Sequence, residues 1–179
     1  MKKFFKYNRG AAIGALVLII VISVFLGINK TVSSYKNGVI NAFSKTGNSV
    51  SADLRKYGDY ANQLCAIASA NGCSVDQLKN SLSKLDATDP FCGADNAVKN
   101  ISSSAAVVYA ELSAKTNVDD QQMRSATSYY YEMDSTVSRI KNNTDYNNKA
   151  KKYNRAANAF PATMIVVFTD TTDDAAVFE

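Results

Sequence analysis

Ala11–Ile28, AAIGALVLIIVISVFLGI, is a run of eighteen residues without a charge or a proline. As a helix it spans about 27 Å, the short end of what crosses a hydrocarbon core of about 30 Å. A surface helix of a soluble domain needs one polar face, and this run has none. It therefore predicts a transmembrane anchor, and the chain after it is polar enough to form a domain beside the bilayer.

The flanks set the expected orientation. Lys2, Lys3, Lys6 and Arg9 precede the run with no acidic residue among them, and Lys30 follows it. Lys/Arg-rich flanks stay on the cytoplasmic side during insertion. Residues 1–10 thus read as a basic cytoplasmic tail, 11–28 as the anchor in contact with the lipid bilayer, 29–161 as a helical bundle outside the membrane, and 162–179 as an acidic tail. Phe4, Phe5 and Tyr7 suit the headgroup level. Two other readings fit part of the pattern. A cleaved signal peptide has the same basic and apolar regions, but Phe25–Lys30 carries no A-x-A-like site. A pilin-like leader is suggested by Arg9-Gly10, but the Glu such leaders carry at the fifth position after Gly is Ala15 here. Gly10 and Gly14 form a G-x-x-x-G, a pattern that lets membrane helices approach, although Gly is common in such helices. A homo-oligomer is compatible with it.

Composition narrows the chemistry. Lys+Arg number 20 and Asp+Glu 16, and the first ten residues hold four of the basic residues and none of the acidic ones. The remainder is neutral, which disfavours nucleic acid as a partner. Two Pro and eight Gly favour long helices over many short strands. There is no His, so the commonest general base and metal ligand is missing. Three Cys without His form neither a Cys₄ nor a Cys₂His₂ zinc site. Neither an enzyme nor a cofactor is expected.

After the anchor the apolar residues recur at helical spacing. Val32, Tyr35, Val39, Ala42 and Phe43, then Val50 and Leu54, then Tyr57, Ala61, Leu64 and Ala68 form one stripe, broken at Asn71-Gly72. No proline separates this stripe from the anchor, so one helix can run from membrane into domain. Ser74 and Gln77 have capping-box spacing, ahead of Val75, Leu78, Leu82 and Leu85 on one face. Ala87–Gly93 reads as a loop. Asp95 or Asn96 is placed to cap a helix that buries Val98, Ile101, Ala105, Val108 and Leu112 and ends near Thr116-Asn117.

The last helix is expected to run from near Val118 to Phe160, with Asp119-Asp120 favoured by its dipole and Pro161 stopping it. Large residues recur every seven positions: Met123, Tyr130, Val137 and Thr144; Met133, Ile140 and Asn147; Tyr146, Tyr153 and Phe160. Such a repeat marks a seam. Tyr129, Tyr130 and Tyr131 point three ways around the helix, so one at least is near the surface. Met164–Phe168 is a short β-branched run that can pack on the bundle, form an edge strand or touch the membrane.

Tyr146-Asn147, Tyr153-Asn154 and Phe160-Pro161, each seven residues apart, resemble the closing signature of the LemA family. Arg139-Ile140 sits where that family has Asn-Arg-Ile, and Phe178-Glu179 resembles its end. Asn41-Ala42-Phe43 and Ala52-Asp53-Leu54 resemble its Asn-Ala-Trp and Ala-Asp-Leu, with Phe43 in place of Trp and Arg55–Gly58 in place of Ile-Pro-Asn-Leu. The cysteines and the break at Asn71-Gly72 lie outside the family pattern. The resemblance implies an all-α fold: an N-terminal transmembrane helix followed by an antiparallel bundle of three to four long helices. It implies little chemistry, since the family has no established activity. Its members are often encoded near membrane proteases and other envelope proteins.

The Tyr-Asn repeats have two readings. One is a partner-binding ridge, with Tyr supplying area and Asn fixing register; the other, favoured by the period of seven, is a bundle seam. Cys65, Cys73 and Cys92 permit a disulfide outside the cytoplasm, with Cys65–Cys73 preferred because the pair flanks the Asn71-Gly72 turn; otherwise all three are thiols. Asp170, Asp173 and Asp174 read as a solvated tail. The expected role is a non-enzymatic scaffold or adaptor of the cell envelope with an envelope protein as partner. The alternatives are a regulatory adaptor of a membrane protease and a pilin-like subunit.

Overall fold

The computed structural model describes residues 9–45, 49–159 and 173–178. Among these the only regular elements are helices: α1 (Arg9–Ser44), α2 (Val50–Ala70), α3 (Asp76–Leu82), α4 (Ala94–Ser113), α5 (Asp120–Lys141) and α6 (Thr144–Ala157). The all-α fold with a long apolar N-terminal helix is as expected.

α1 is one unbroken helix of 36 residues. Its first half is an apolar surface: Ile13, Leu16 to Ile22 and Val24 to Leu26 are exposed apolar side chains. This stretch is long and apolar enough to cross a membrane. Its second half is a different surface. Val32, Val39, Ala42 and Phe43 are buried, at the spacing of one helix face, and that face lies against α6. Tyr35, which the sequence assigns to this stripe, is exposed.

The expected stripe ran through residues 45–49 without a break. Instead α1 ends at Ser44, and α2 starts afresh behind Ser49, whose Oγ accepts from the Ala52 N–H at 3.1 Å. This satisfies one of the donors that a helix start leaves free. Asp53 in the first turn adds a favourable charge.

α2 to α5 form the bundle. α2 and α5 run antiparallel: Arg139 at the end of α5 reaches Asp53 at the start of α2 (3.3 Å), and Asn71 just beyond α2 donates to Gln122 at the start of α5 (3.0 Å). α4 runs parallel to α2, with Tyr57 donating to the Val98 carbonyl (3.1 Å) and Lys115 to the Gly72 carbonyl (3.2 Å). The core is apolar and continuous: Leu54, Leu64, Leu78, Ile101, Leu112 and Ile140 are all fully buried. The α4 face of Val98, Ile101, Ala105, Val108 and Leu112 is the one read from spacing, and all five are buried. Each large aliphatic removed from water in this way contributes about 1.5–3 kcal/mol. Gly72 and Gly93, both at φ 72°, make the left-handed turns that end α2 and precede α4.

Two local expectations need correction. The Ser74–Gln77 capping box does not form. α3 begins at Asp76 behind Val75 without a side-chain cap, and the Ser74 N–H donates instead to the Glu111 carboxylate at 3.2 Å. The long last helix is two helices. α5 stops at Lys141, and Asn143 starts α6 by accepting from the Tyr146 N–H at 3.1 Å. An Asn pair offers the backbone side-chain partners outside the helix ladder, and so ends a helix without Gly or Pro. The chain then turns, and α6 returns along α1 rather than extending α5. Asp119 does act at the start of α5, accepting from Gln121 and Gln122 N–H groups.

The three tyrosines diverge as helix geometry requires. Tyr129 stacks on Tyr60 of α2, Tyr130 stacks on Tyr109 of α4 with centroids 4.5 Å apart, and Tyr131 is 66% exposed.

Candidate functional site

α6 is short and polar, yet Tyr146, Asn147, Ala150, Tyr153 and Ala157 are buried. What covers them on one side is Phe43 and the buried face of α1; the Phe43 and Tyr146 rings are 5.5 Å apart. On the other side lies the segment Asp173–Phe178.

The segment is held through its backbone. Asn154 makes a two-way pair with Ala175: its Nδ2 donates to the Ala175 carbonyl, and its Oδ1 accepts from the Ala175 N–H, both at 2.8 Å. Asn147 Oδ1 accepts from the Phe178 N–H at 3.1 Å, while its Nδ2 donates to the Lys141 carbonyl at 3.0 Å. One amide thus fixes both the segment and a free carbonyl at the end of α5. Tyr146 Oη donates to the Ala176 carbonyl at 2.8 Å, and Tyr153 Oη lies 3.5 Å from the Asp173 carbonyl. Asn158 Nδ2 donates to the Asp174 carboxylate at 2.9 Å.

The pitch explains why a repeat of seven suits this task. Asn147 and Asn154 are seven residues apart, about 10.5 Å along a helix. Their partners Phe178 and Ala175 are three residues apart, which gives about 3.5 Å per residue, close to the rise of an extended chain. Two turns of helix therefore match three residues of extended backbone, and at each end of that step an Asn Oδ1 accepts one backbone N–H.

The loop before α4 forms the second wall. Thr88 donates its N–H and hydroxyl to the Asp86 carboxylate, at 2.8 and 2.6 Å, and the Phe91 N–H donates to Asp89 at 2.8 Å. The Thr88 bonds hold the Asp86 carboxyl below its usual range. So braced, the loop presents the Pro90 carbonyl to the Ala176 N–H at 2.8 Å and the Phe91 ring to Tyr153, centroids 5.2 Å apart. Lys36 of α1 sits over the same Phe91 ring, its Nζ 5.1 Å from the centroid. Ala175, Ala176 and Phe178 are at most 5% exposed, and the Phe178 ring lies 6.0 Å from Tyr146. The reading of a wholly solvated tail is therefore corrected: Asp173 and Asp174 are exposed, but the four residues after them dock.

Burial raises the Tyr146 hydroxyl well above its ordinary range, and Asp95, Cys92 and Asp89 nearby add to this; burial also raises Tyr153. Both phenols are neutral donors at any physiological pH.

The residues singled out by the sequence divide as follows. Tyr146, Asn147, Tyr153 and Asn154 converge on one site. Ile140 is core. Arg139 bonds Asp53, Ser135 and Thr136 beside an open cleft of about 460 Å³ that Asn142 and Asn143 also line, and makes no bond to the segment. Phe160, Pro161 and Met164–Phe168 lie outside the described residues. Cys65, Cys73 and Cys92 are free thiols in the structure, the first two buried and the third exposed. Burial pushes the Cys65 and Cys73 thiols up, against the thiolate a nucleophile needs. Among the described residues no cluster of Cys, Asp and Glu could hold a metal ion. Sequence reasoning missed Asn158, Pro90, Phe91 and the segment itself. The available signal was Ala-Ala-Val-Phe behind the acidic residues, an apolar end to a tail otherwise read as solvated.

No family model, curated protein or solved structure matches this chain.

Proposed function

We propose that the chain is a non-enzymatic scaffold or adaptor of LemA type, anchored in the cell membrane by residues 11–28, with a cytoplasmic N-terminus and an extracytoplasmic bundle. The observation that carries this reading is the clamp. Its Tyr-Asn ladder addresses backbone N–H and C=O groups of an extended segment, which is a device for holding a chain rather than for transforming one. Four of the residues on which the LemA resemblance rests, Tyr146, Asn147, Tyr153 and Asn154, are the clamp's central residues. The signature is then a binding ridge, with a helix on one side and a peptide on the other. The chain also lacks His, and its buried thiols are raised rather than activated. An envelope protein presenting an extended segment is the expected partner.

Protease applied to intact spheroplasts carrying a C-terminal tag tests the placement, with the N-terminus read by mass spectrometry. Loss of the tag, with Met1–Arg9 still attached and membrane-bound, is the expected result. A protected tag contradicts it. A hydrolytic activity lost on substituting a single carboxylate contradicts the non-enzymatic reading.

A further inference from the structure

The clamp's polar groups meet the Asp173, Ala175 and Ala176 carbonyls and the Ala175, Ala176 and Phe178 N–H groups, all of them backbone. Side chains are met by burial and by one polar contact: Ala175 and Ala176 are small and buried, Phe178 packs on Tyr146, and the Asp174 carboxylate accepts from Asn158. The clamp therefore asks for an extended small–small–any–Phe segment, whichever molecule supplies it. A second copy of this chain always carries one.

Three features favour the second copy as supplier. First, α6 packs on the part of α1 that leads directly out of the apolar stretch, so anchored copies hold their clamps at one height over the bilayer. Confinement of that kind raises effective concentration without any new contact. Second, thirteen residues, 160–172, join the α6 region to the segment. A chain of that length reaches up to about 45 Å, beyond the roughly 30 Å width of a small domain. Third, exchange replaces every contact by its own copy, the low-cost route to dimers that identical elements offer.

We propose that Asp173–Phe178 docks in the clamp of a second copy, so that anchored copies are linked by exchange of this segment. The proposal rests on the clamp being the working surface proposed above. Reciprocal exchange closes a two-fold dimer, and one-way exchange builds an open chain.

Asn158 and Asp174 supply the test, because they touch across the clamp and both are exposed, so cysteine at either position leaves the core intact. Full-length chains carrying Cys92→Ser are reconstituted in liposomes, one with N158C and the other with D174C, and treated with a mild oxidant. The expected result is a covalent dimer containing one chain of each kind. It falls about tenfold when the N158C copy also carries Asn154→Ala, which removes the two-way pair. The doubly substituted chain N158C/D174C reports the intrachain contact. A link found in the double variant but never between single variants overturns exchange and leaves the clamp to its own chain or to a foreign peptide. A mixed dimer insensitive to Asn154→Ala reflects collision and also overturns it. No link in any combination overturns the clamp itself, and with it the reading on which exchange rests.

Discussion

The seam between α2 and α5 and the clamp on α6 carry the same seven-residue spacing and do different work. Met133 and Ile140 on α5 are buried in an apolar bundle, where side chain meets side chain. Seven residues beyond Ile140, Asn147 instead meets a backbone N–H, and Asn154 repeats the contact one heptad later. The spacing is common to both because two helical turns match another helix's seam and also match three residues of extended chain. What separates them is the side-chain chemistry. An aliphatic residue at the repeat asks for apolar area, whereas an Asn amide, with one donor end and one acceptor end, asks for a peptide group.

Breaking the bundle should have the largest effect. Leu54→Ala or Leu64→Ala empties a fully buried site and should cost about 2–5 kcal/mol, lowering the melting temperature of the whole domain and releasing the segment with it. Asn154→Leu should come next and divide the two regions. It keeps volume and apolar area but leaves the Ala175 N–H and carbonyl without their partner, a cost of about 2 kcal/mol and a roughly thirtyfold larger open population of the segment. Amide exchange should show this with little change in the bundle. If packing alone held the segment, Leu would be tolerated.

Alkali should sharpen the contrast. Burial pushes the Tyr57 hydroxyl from 10.0 up to about 12, although its bond to Ser102 opposes the shift. The unfolded chain therefore loses this proton first. The associated stability is complete below pH 10 and is lost as pH rises from there through about 12. Tyr146 is raised in the same sense, so the segment should also loosen only in strong alkali. Phenolate absorbance followed together with circular dichroism should show ionisation and unfolding rising together above pH 10. Tyr146→Phe should remove the segment's share of that transition. The smallest effect is expected from Arg139→Gln. Its bond to Asp53 is partly exposed, so the melting temperature should move by no more than about 1 kcal/mol allows.

The bundle was readable from sequence because its signal is local. Val98, Ile101, Ala105, Val108 and Leu112 name their own face by spacing, and the break at Asn71-Gly72 names itself by residue type. The turn at Asn142-Asn143 was missed because it contains neither Gly nor Pro; its signal was a capping Asn followed by Asp145 in the first turn. The clamp was half visible. Tyr146, Asn147, Tyr153 and Asn154 stood out, but a heptad does not say whether a helix or an extended chain will lie against it. The segment gave little sign beyond its apolar Ala-Ala-Val-Phe, because most of the polar groups recognised in it are backbone atoms, which every sequence has.

Whether the Asn ladder holds the segment is read from amide hydrogen exchange at Ala175, Ala176 and Phe178 in the whole chain reconstituted in liposomes, compared with the variant Asn147→Ala/Asn154→Ala. These three amides should be protected in the wild type and exchange at least about tenfold faster in the variant, while the amides of α2 and α5 keep their rates. Equal exchange in the two proteins, fast or slow, would mean that the Asn ladder does not hold the segment.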